Sequence, residues 1–327
     1  MSSRVLPGLA KAAAILAPAL FGWPALAQDF PAKPIRVLVG SAPGDPADII
    51  VRLIQNRIVE RLGQPWIVED RPGATGRIAS LAVAKSPPDG HMLLVALSAH
   101  AINPASTMPL QYDTAKDFTG VSLLARQPLI VAVNPAVPGA TLKEFIAAAR
   151  ANPAAHLSYA SPGSGSLAHL IGEEIARRGK IDMPHIPFKG GSPAVKAVLS
   201  NEVQMTTLIG AILLPSIRSG ALRAIAVTSD KRIAELPDVP TMGEAGFGSG
   251  AIYNWIGIFA PGATPRAVVN KLNAEINEAL KEPAAVKWLA DSGFEKVASK
   301  PEELDAFVAS ETARWLKFTQ EFGVKFE

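Results

Sequence analysis

Three segments, 42–48 (Ala-Pro-Gly-Asp-Pro-Ala-Asp), 161–166 (Ser-Pro-Gly-Ser-Gly-Ser) and 189–192 (Lys-Gly-Gly-Ser), set glycines and short polar side chains directly ahead of helical patterns. The first N–H groups of a helix lack intrahelical partners and lie at the positive end of its macrodipole, so each segment is a candidate receiver for an oxyanion. Glycine lets the main chain come close to such a ligand. The same residues also make ordinary turns; three of them together point to an anionic small molecule. Bond-making chemistry has weaker support. There is no G-x-S-x-G, H-E-x-x-H or G-x-x-x-x-G-K-[ST], and no G-x-G-x-x-G opening a helix after a strand. His91, His100, His156, His169 and His185 are dispersed without ligand spacing, so no metal site is expected. A secreted Ser/His hydrolase using Ser161, Ser164 or Ser166 with His169 is the alternative. It lacks a third residue to orient the imidazole, and His169 lies only three positions beyond Ser166 on a predicted helix.

The elements that would position these segments alternate along the chain. Apolar runs predict strands over 35–39, 66–68, 92–96, 121–125, 130–133, 157–160, 185–188, 203–209, 222–227 and 252–260. Helical patterns cover 48–62, 77–85, 141–151, 166–178, a stretch starting at Ser192-Pro193, one ending near Leu280, and two more before the C-terminus. Thr141 with Glu144, and Ser299 with Glu302, have capping-box spacing. Strands that alternate with helices imply a parallel sheet covered by helices, with the candidate loops at the carboxyl ends of strands, where open α/β sheets bind ligands.

Composition narrows the class. The chain has 327 residues, 48% of them hydrophobic and 19% charged, and no cysteine. That describes a packed chain of one large or two ordinary domains, without a disulfide framework, thiolate nucleophile or Cys-ligated metal. Arg4 and Lys11 precede an apolar stretch, 12–26, that closes on Ala25-Leu26-Ala27: the pattern of a secretory signal cleaved near Ala27, and too short and too interrupted by Pro18, Gly22 and Pro24 to be a span. Its removal takes away two of the 32 basic residues and none of the 29 acidic ones, leaving a net charge of +1. Such a chain has no electrostatic footprint for nucleic acid or an anionic membrane.

A series of short motifs occurs in order: Lys33-Pro34-Ile35-Arg36, Ala42-Pro43-Gly44 with Asp48, Arg71-Pro72-Gly73-Ala74, Pro87-Pro88-Asp89-Gly90, His100-Ala101-Ile102-Asn103-Pro104, Tyr159-Ala160-Ser161-Pro162-Gly163, Lys189-Gly190-Gly191, Ala226-Val227-Thr228-Ser229, Leu236-Pro237-Asp238-Val239-Pro240-Thr241 and Leu272-Asn273-Ala274-Glu275-Ile276. Across the whole mature chain they resemble the substrate-binding proteins of tripartite tricarboxylate transporters, the Bug family. The resemblance implies a type II-like periplasmic binding protein fold: two α/β lobes around a ligand cleft, joined by two crossover strands. Lobe 1 is expected to be 28–125 plus 250–327 and lobe 2 126–249, with crossings near 124–127 and 246–251. It implies a monomeric periplasmic receptor, not an enzyme, that needs no cofactor and delivers a small organic carboxylate to membrane permease subunits; a receptor feeding a sensor kinase keeps the same fold.

By position, the family's carboxylate contacts carry over to Ser41, Gly44, Asp45, Asp48, Ser98, Ser161, Gly163, Ser164, Gly165, Ser166, His169, Lys189, Gly190, Gly191 and Trp255. Asp45 and Asp48 have a second reading as helix caps, Lys189 as a solvated charge, and Trp255 as core rather than a stacking platform. Asp45 stands where the family has a second glycine, Ala47 where it has threonine, Leu208 at a commonly acidic position, and Val95-Ala96-Leu97-Ser98-Ala99 where Thr and Asn are usual. Fewer pocket hydroxyls and amides predict a monocarboxylate with an apolar or aromatic body.

Overall fold

A computed structural model describes residues 30–248 and 250–326; the expected leader, 1–27, lies outside them. In the first half of the sheet, β1 (Ile35–Val39) pairs in parallel with β2 (Trp66–Asp70) on one side and β3 (Met92–Leu97) on the other. The helices α1 (Pro46–Leu62) and α2 (Arg77–Ala84) supply the crossovers. A short helix, α3 (Ala99–Ile102), follows β3.

The predicted strands 121–125 and 130–133 are one strand, β4 (Phe118–Val133). Proline cannot donate to a ladder, but Pro128 falls where β4 changes partners. Up to Pro128 it pairs antiparallel with a late strand that also pairs with β3. From Leu129 it pairs on both edges with strands of the second half. That half contains α4 (Leu142–Ala151), β5 (Tyr159–Ser161), α5 (Leu167–Gly179), β6 (His185–Pro187), α6 (Gly191–Leu199), β7 (Met205–Ile209), α7 (Gly210–Arg218) and β8 (Arg223–Val227). The chain returns through β9 (Tyr253–Pro261) to α8 (Arg266–Ala279), α9 (Pro283–Asp291), β10 (Glu295–Lys296) and α10 (Pro301–Phe322). The strand path is β2-β1-β3-β9-β4-β7-β5-β6, with β8 and β10 also on β4. The result is two α/β lobes sharing β4, with β9 as the second crossing.

Strand alternation distributes the cores. Val37 and Val39 face α1, α8 and α9, whereas Leu38 faces α2 and the first half of α10. In the second lobe Leu129, Val131 and Val133 pack with α4 and α5, and Ile130 and Ala132 with α6 and α7. α10 spans both lobes: Leu304 and Val308 join the Leu38 core, while Trp315 and Phe318 join the Val131 core. It is a third connection that the two-crossing expectation lacks. Its expected capping box does not form; one residue later only the carboxylate half of one does, because the Lys300 side chain has no acceptor. The Lys300 N–H donates to Glu303 Oε2 at 2.9 Å, because Ser299 Oγ is engaged by the Leu123 N–H of β4, also at 2.9 Å.

Candidate functional site

A cavity of ≈ 310 Å³ opens between the lobes at the carboxyl ends of β1, β2 and β3 and faces the start of α5. Of the residues nominated from sequence, Ser41, Ser98 and Ser166 line it, joined by Pro72, Gly73, Thr75, Gly76, Ser80, His100 and Asn254. Leu94, Val95, Ala96, Leu97 and Leu167 form its apolar wall. Among the described residues no charged side chain lines it. A larger cavity, ≈ 380 Å³, beside Gln127 and Pro128 contains none of the nominated residues.

The first loop is held from within. The Gly44 N–H donates to Asp48 Oδ2 (2.9 Å), and Asp48 Oδ1 accepts from Arg52 Nε (2.5 Å), whose Nη2 reaches Asp70 (2.8 Å). Asp48, 4% exposed, therefore ties loop, helix and β2 together and does not line the cavity. Asp45 is the N-cap of α1, accepting from the Ala47 N–H at 3.1 Å; burial raises its carboxyl above the usual aspartate range, against the pull of that N–H. Ser41 Oγ is buried beside that carboxylate, which its hydroxyl also pulls down, and makes no other hydrogen bond among the described residues.

The second loop is closed on itself. Ser161 is fully buried, with Oγ 2.6 Å from His185 Nε2 and 2.9 Å from the Gly163 carbonyl. The Gly165 N–H donates to His169 Nδ1 (3.2 Å), and Ser166 Oγ caps α5 by accepting from the His169 main-chain N–H (3.2 Å). The side-chain pairing of Ser166 with His169 that a hydrolase would need does not form. His169 and His185 stack at 4.0 Å between centroids. Burial lowers both imidazoles, with His169 adding to the effect at His185, which falls to about 4. Gly163 and Ser164 sit at the loop's outer turn and do not line the cavity.

In the third loop the Gly190 N–H donates to the Pro162 carbonyl (3.2 Å), Lys189 is exposed, and Gly191 packs toward Ile212. None of the three lines the cavity. Trp255 is fully buried, its ring against Phe259 and Phe307 in the first-lobe core, which corrects its reading as a stacking platform. Its main-chain N–H donates to Ser98 Oγ (3.1 Å), fixing that hydroxyl at the cavity edge.

Sequence reasoning missed the loop after β2. Gly73, Ala74, Thr75 and Gly76 all have positive φ (124°, 46°, 53° and 83°), costly for the two non-glycine residues. Asn103, 3% exposed, holds the turn: its Oδ1 accepts from Thr75 Oγ1 (2.8 Å) and Arg77 Nε (3.3 Å), and its Nδ2 donates to the Thr75 carbonyl (3.2 Å). The signal available was Arg71-Pro72-Gly73-Ala74 directly after a predicted strand.

The pattern described as the tripartite tricarboxylate transporter family receptor matches residues 50–324. Protein BugT of Bordetella pertussis is 35% identical over 306 residues, 93% of this chain and 94% of that protein. Among solved structures, R. palustris Rpa4515 with adipate is 30% identical (TM-score 0.76; 91% of this chain, 99% of that one). MatC from Rhodopseudomonas palustris with bound malate is 32% identical (TM-score 0.72; 88% and 99%). Family pattern, near-full-length relatives and shared lobes agree: the chain belongs to the tripartite tricarboxylate transporter receptor family and has the periplasmic binding protein fold.

Proposed function

We propose that this receptor captures a small organic monocarboxylate with an apolar body in the cavity between its lobes. It works as a monomer in the periplasm after losing residues 1–27, and presents the solute unaltered to the permease subunits of its transporter. The lobe boundaries that serve this role are 28–125 plus 250–327 and 126–249, with α10 fastening the two. The observation that carries the reading is the cavity's lining of hydroxyls, main chain, aliphatic side chains, the Asn254 amide and the His100 imidazole, with no formally charged side chain among the described residues. Dipoles of this kind can hold one carboxylate at a partly hydrated rim. A second ionised group pushed toward the apolar wall would lose water without meeting a counter-charge. Two relatives are solved with dicarboxylates, adipate and malate, and these supply the natural competitors.

The test is a thermal-shift series on residues 28–327 with hexanoate, 3-phenylpropanoate, adipate, malate and citrate. A ligand at 100 times its Kd adds about 2.7 kcal/mol to stability. A monocarboxylate is expected to give the largest shift, and tightest binding by citrate would refute the reading.

A further inference from the structure

His100, on the inner wall of the cavity and 2% exposed, carries a polar atom, Nε2, without a hydrogen-bond partner among the described residues. Its ring packs against Phe118 and Phe259, with centroids at 4.8 and 4.9 Å, and is stacked on Tyr112 at 6.3 Å. Nδ1 lies 3.4 Å from Ser80 Oγ, and Ser80 is 2% exposed and also lines the cavity. Native proteins rarely leave such an atom alone, and a partner supplied by a ligand is one way to satisfy it.

We propose that His100, supported by Ser80, is a specificity-determining residue that receives a hydroxyl on the apolar body of the ligand, remote from its carboxylate. The inference rests on the reading of this cavity as the carboxylate site. Burial places the two ends: Ser166 at the rim is partly exposed, whereas Ser80 and His100 are not. The carboxylate keeps the wetter end, and the aliphatic run Leu94 to Leu97 flanks the body. Hydroxyl is the group that fits either imidazole tautomer. If Ser80 donates to Nδ1, Nε2–H is a donor and the ligand oxygen accepts; if Nδ1–H donates to Ser80, Nε2 accepts the ligand proton. A carbonyl serves only the first arrangement. Burial keeps the imidazole uncharged near neutrality, its pKa lowered to about 4, so it offers no counter-charge to a second carboxylate.

Calorimetry on residues 28–327 would compare two matched pairs: hexanoate with 6-hydroxyhexanoate, and 3-phenylpropanoate with 3-(4-hydroxyphenyl)propanoate. In the wild type the hydroxylated member of at least one pair is expected to bind about tenfold tighter, a hydrogen bond's worth. The gap should close to within about twofold in His100→Phe and persist in His100→Gln, which keeps a donor and an acceptor. The imidazole ¹⁵N signals of wild-type His100 should move with the hydroxylated acid and not with its parent, a readout that needs no variant to fold. Equal affinities within both pairs, a gap that survives His100→Phe, or unmoved imidazole signals would overturn the assignment while leaving the carboxylate reading intact. Failure of all four acids to bind would remove both.

Discussion

On the first-lobe wall of the cleft, His100 Nε2 is buried without a partner among the described residues, and Ser41 Oγ has only the Asp45 carboxylate beside it. Across the gap Ser161, Gly165 and Ser166 are engaged with His185 and His169. Both walls are built from loops that follow strands and open helices, and in sequence the second is the more suggestive, with three serines and two glycines in six residues. Its hydrogen bonds are nonetheless internal: they shape the loop and offer Ser166 and Leu167 to the cavity. Composition marks where a loop can bind. Unfilled hydrogen-bonding capacity inside a cavity marks which group waits for a ligand.

The largest expected effect is on stability in acid, and a buried histidine on each wall contributes to it. His100 and His185 both have pKa values lowered to about 4, the first by burial, the second by burial and the neighbouring His169. In the unfolded chain a histidine titrates near 6.5, so as pH falls the unfolded state takes the proton first. The stabilisation is complete above about pH 6.5 and disappears as the pH drops toward 4, on the order of 3 kcal/mol for the fully buried His100. Urea unfolding between pH 7.5 and 4 should show that loss in the wild type and a smaller one in His100→Gln. Equal pH slopes would mean that His100 is not held neutral by its surroundings.

A smaller pair of effects divides the serines. Ser161→Ala breaks a buried bond and strands His185, and should cost about 1–3 kcal/mol in stability with ligand affinity unchanged. Ser41→Ala removes a hydroxyl that makes no well-formed hydrogen bond among the described residues, though it lies beside the Asp45 carboxylate. Its melting temperature should hold while affinity falls by up to about tenfold. Reversal of the two phenotypes, read by melting and calorimetry on the same preparations, would show that the walls had been assigned backwards.

Local signals carried much of the architecture. Strand β1 has the expected bounds, and α1, α5 and the strands around them arise from periodicity and caps that neighbouring residues decide, as with Ser166 at the start of α5. The errors fall where tertiary structure overrides a local rule. Pro128 looks like a strand breaker until β4 exchanges partners there, and Pro215 hides the helix α7. Of the site, Ser41, Ser98 and Ser166 were legible because they flank strand ends. Ser80, His100 and Thr75 were not: Ser80 looks like an exposed helix residue, His100 like a dispersed histidine, and Thr75 reaches the cavity only through a left-handed turn that Asn103 holds from 28 residues away.

Asp45 offers the smallest and cleanest contrast, since its sequence position allowed two roles and its geometry favours one. The carboxylate accepts from the Ala47 N–H, as an N-cap does, and does not line the cavity. Asp45→Ala should therefore lower stability by about 1 kcal/mol, and Asp45→Asn, an equally good cap, should restore it. Neither should change affinity for a carboxylate. An aspartate facing the ligand would behave otherwise: removing its charge would relieve repulsion, so both variants would bind the anion more tightly, and more so at low salt. Calorimetry at two ionic strengths distinguishes the outcomes. A salt-dependent gain in affinity shared by Asp45→Ala and Asp45→Asn would place a negative charge in the cavity and remove the basis for calling its lining uncharged.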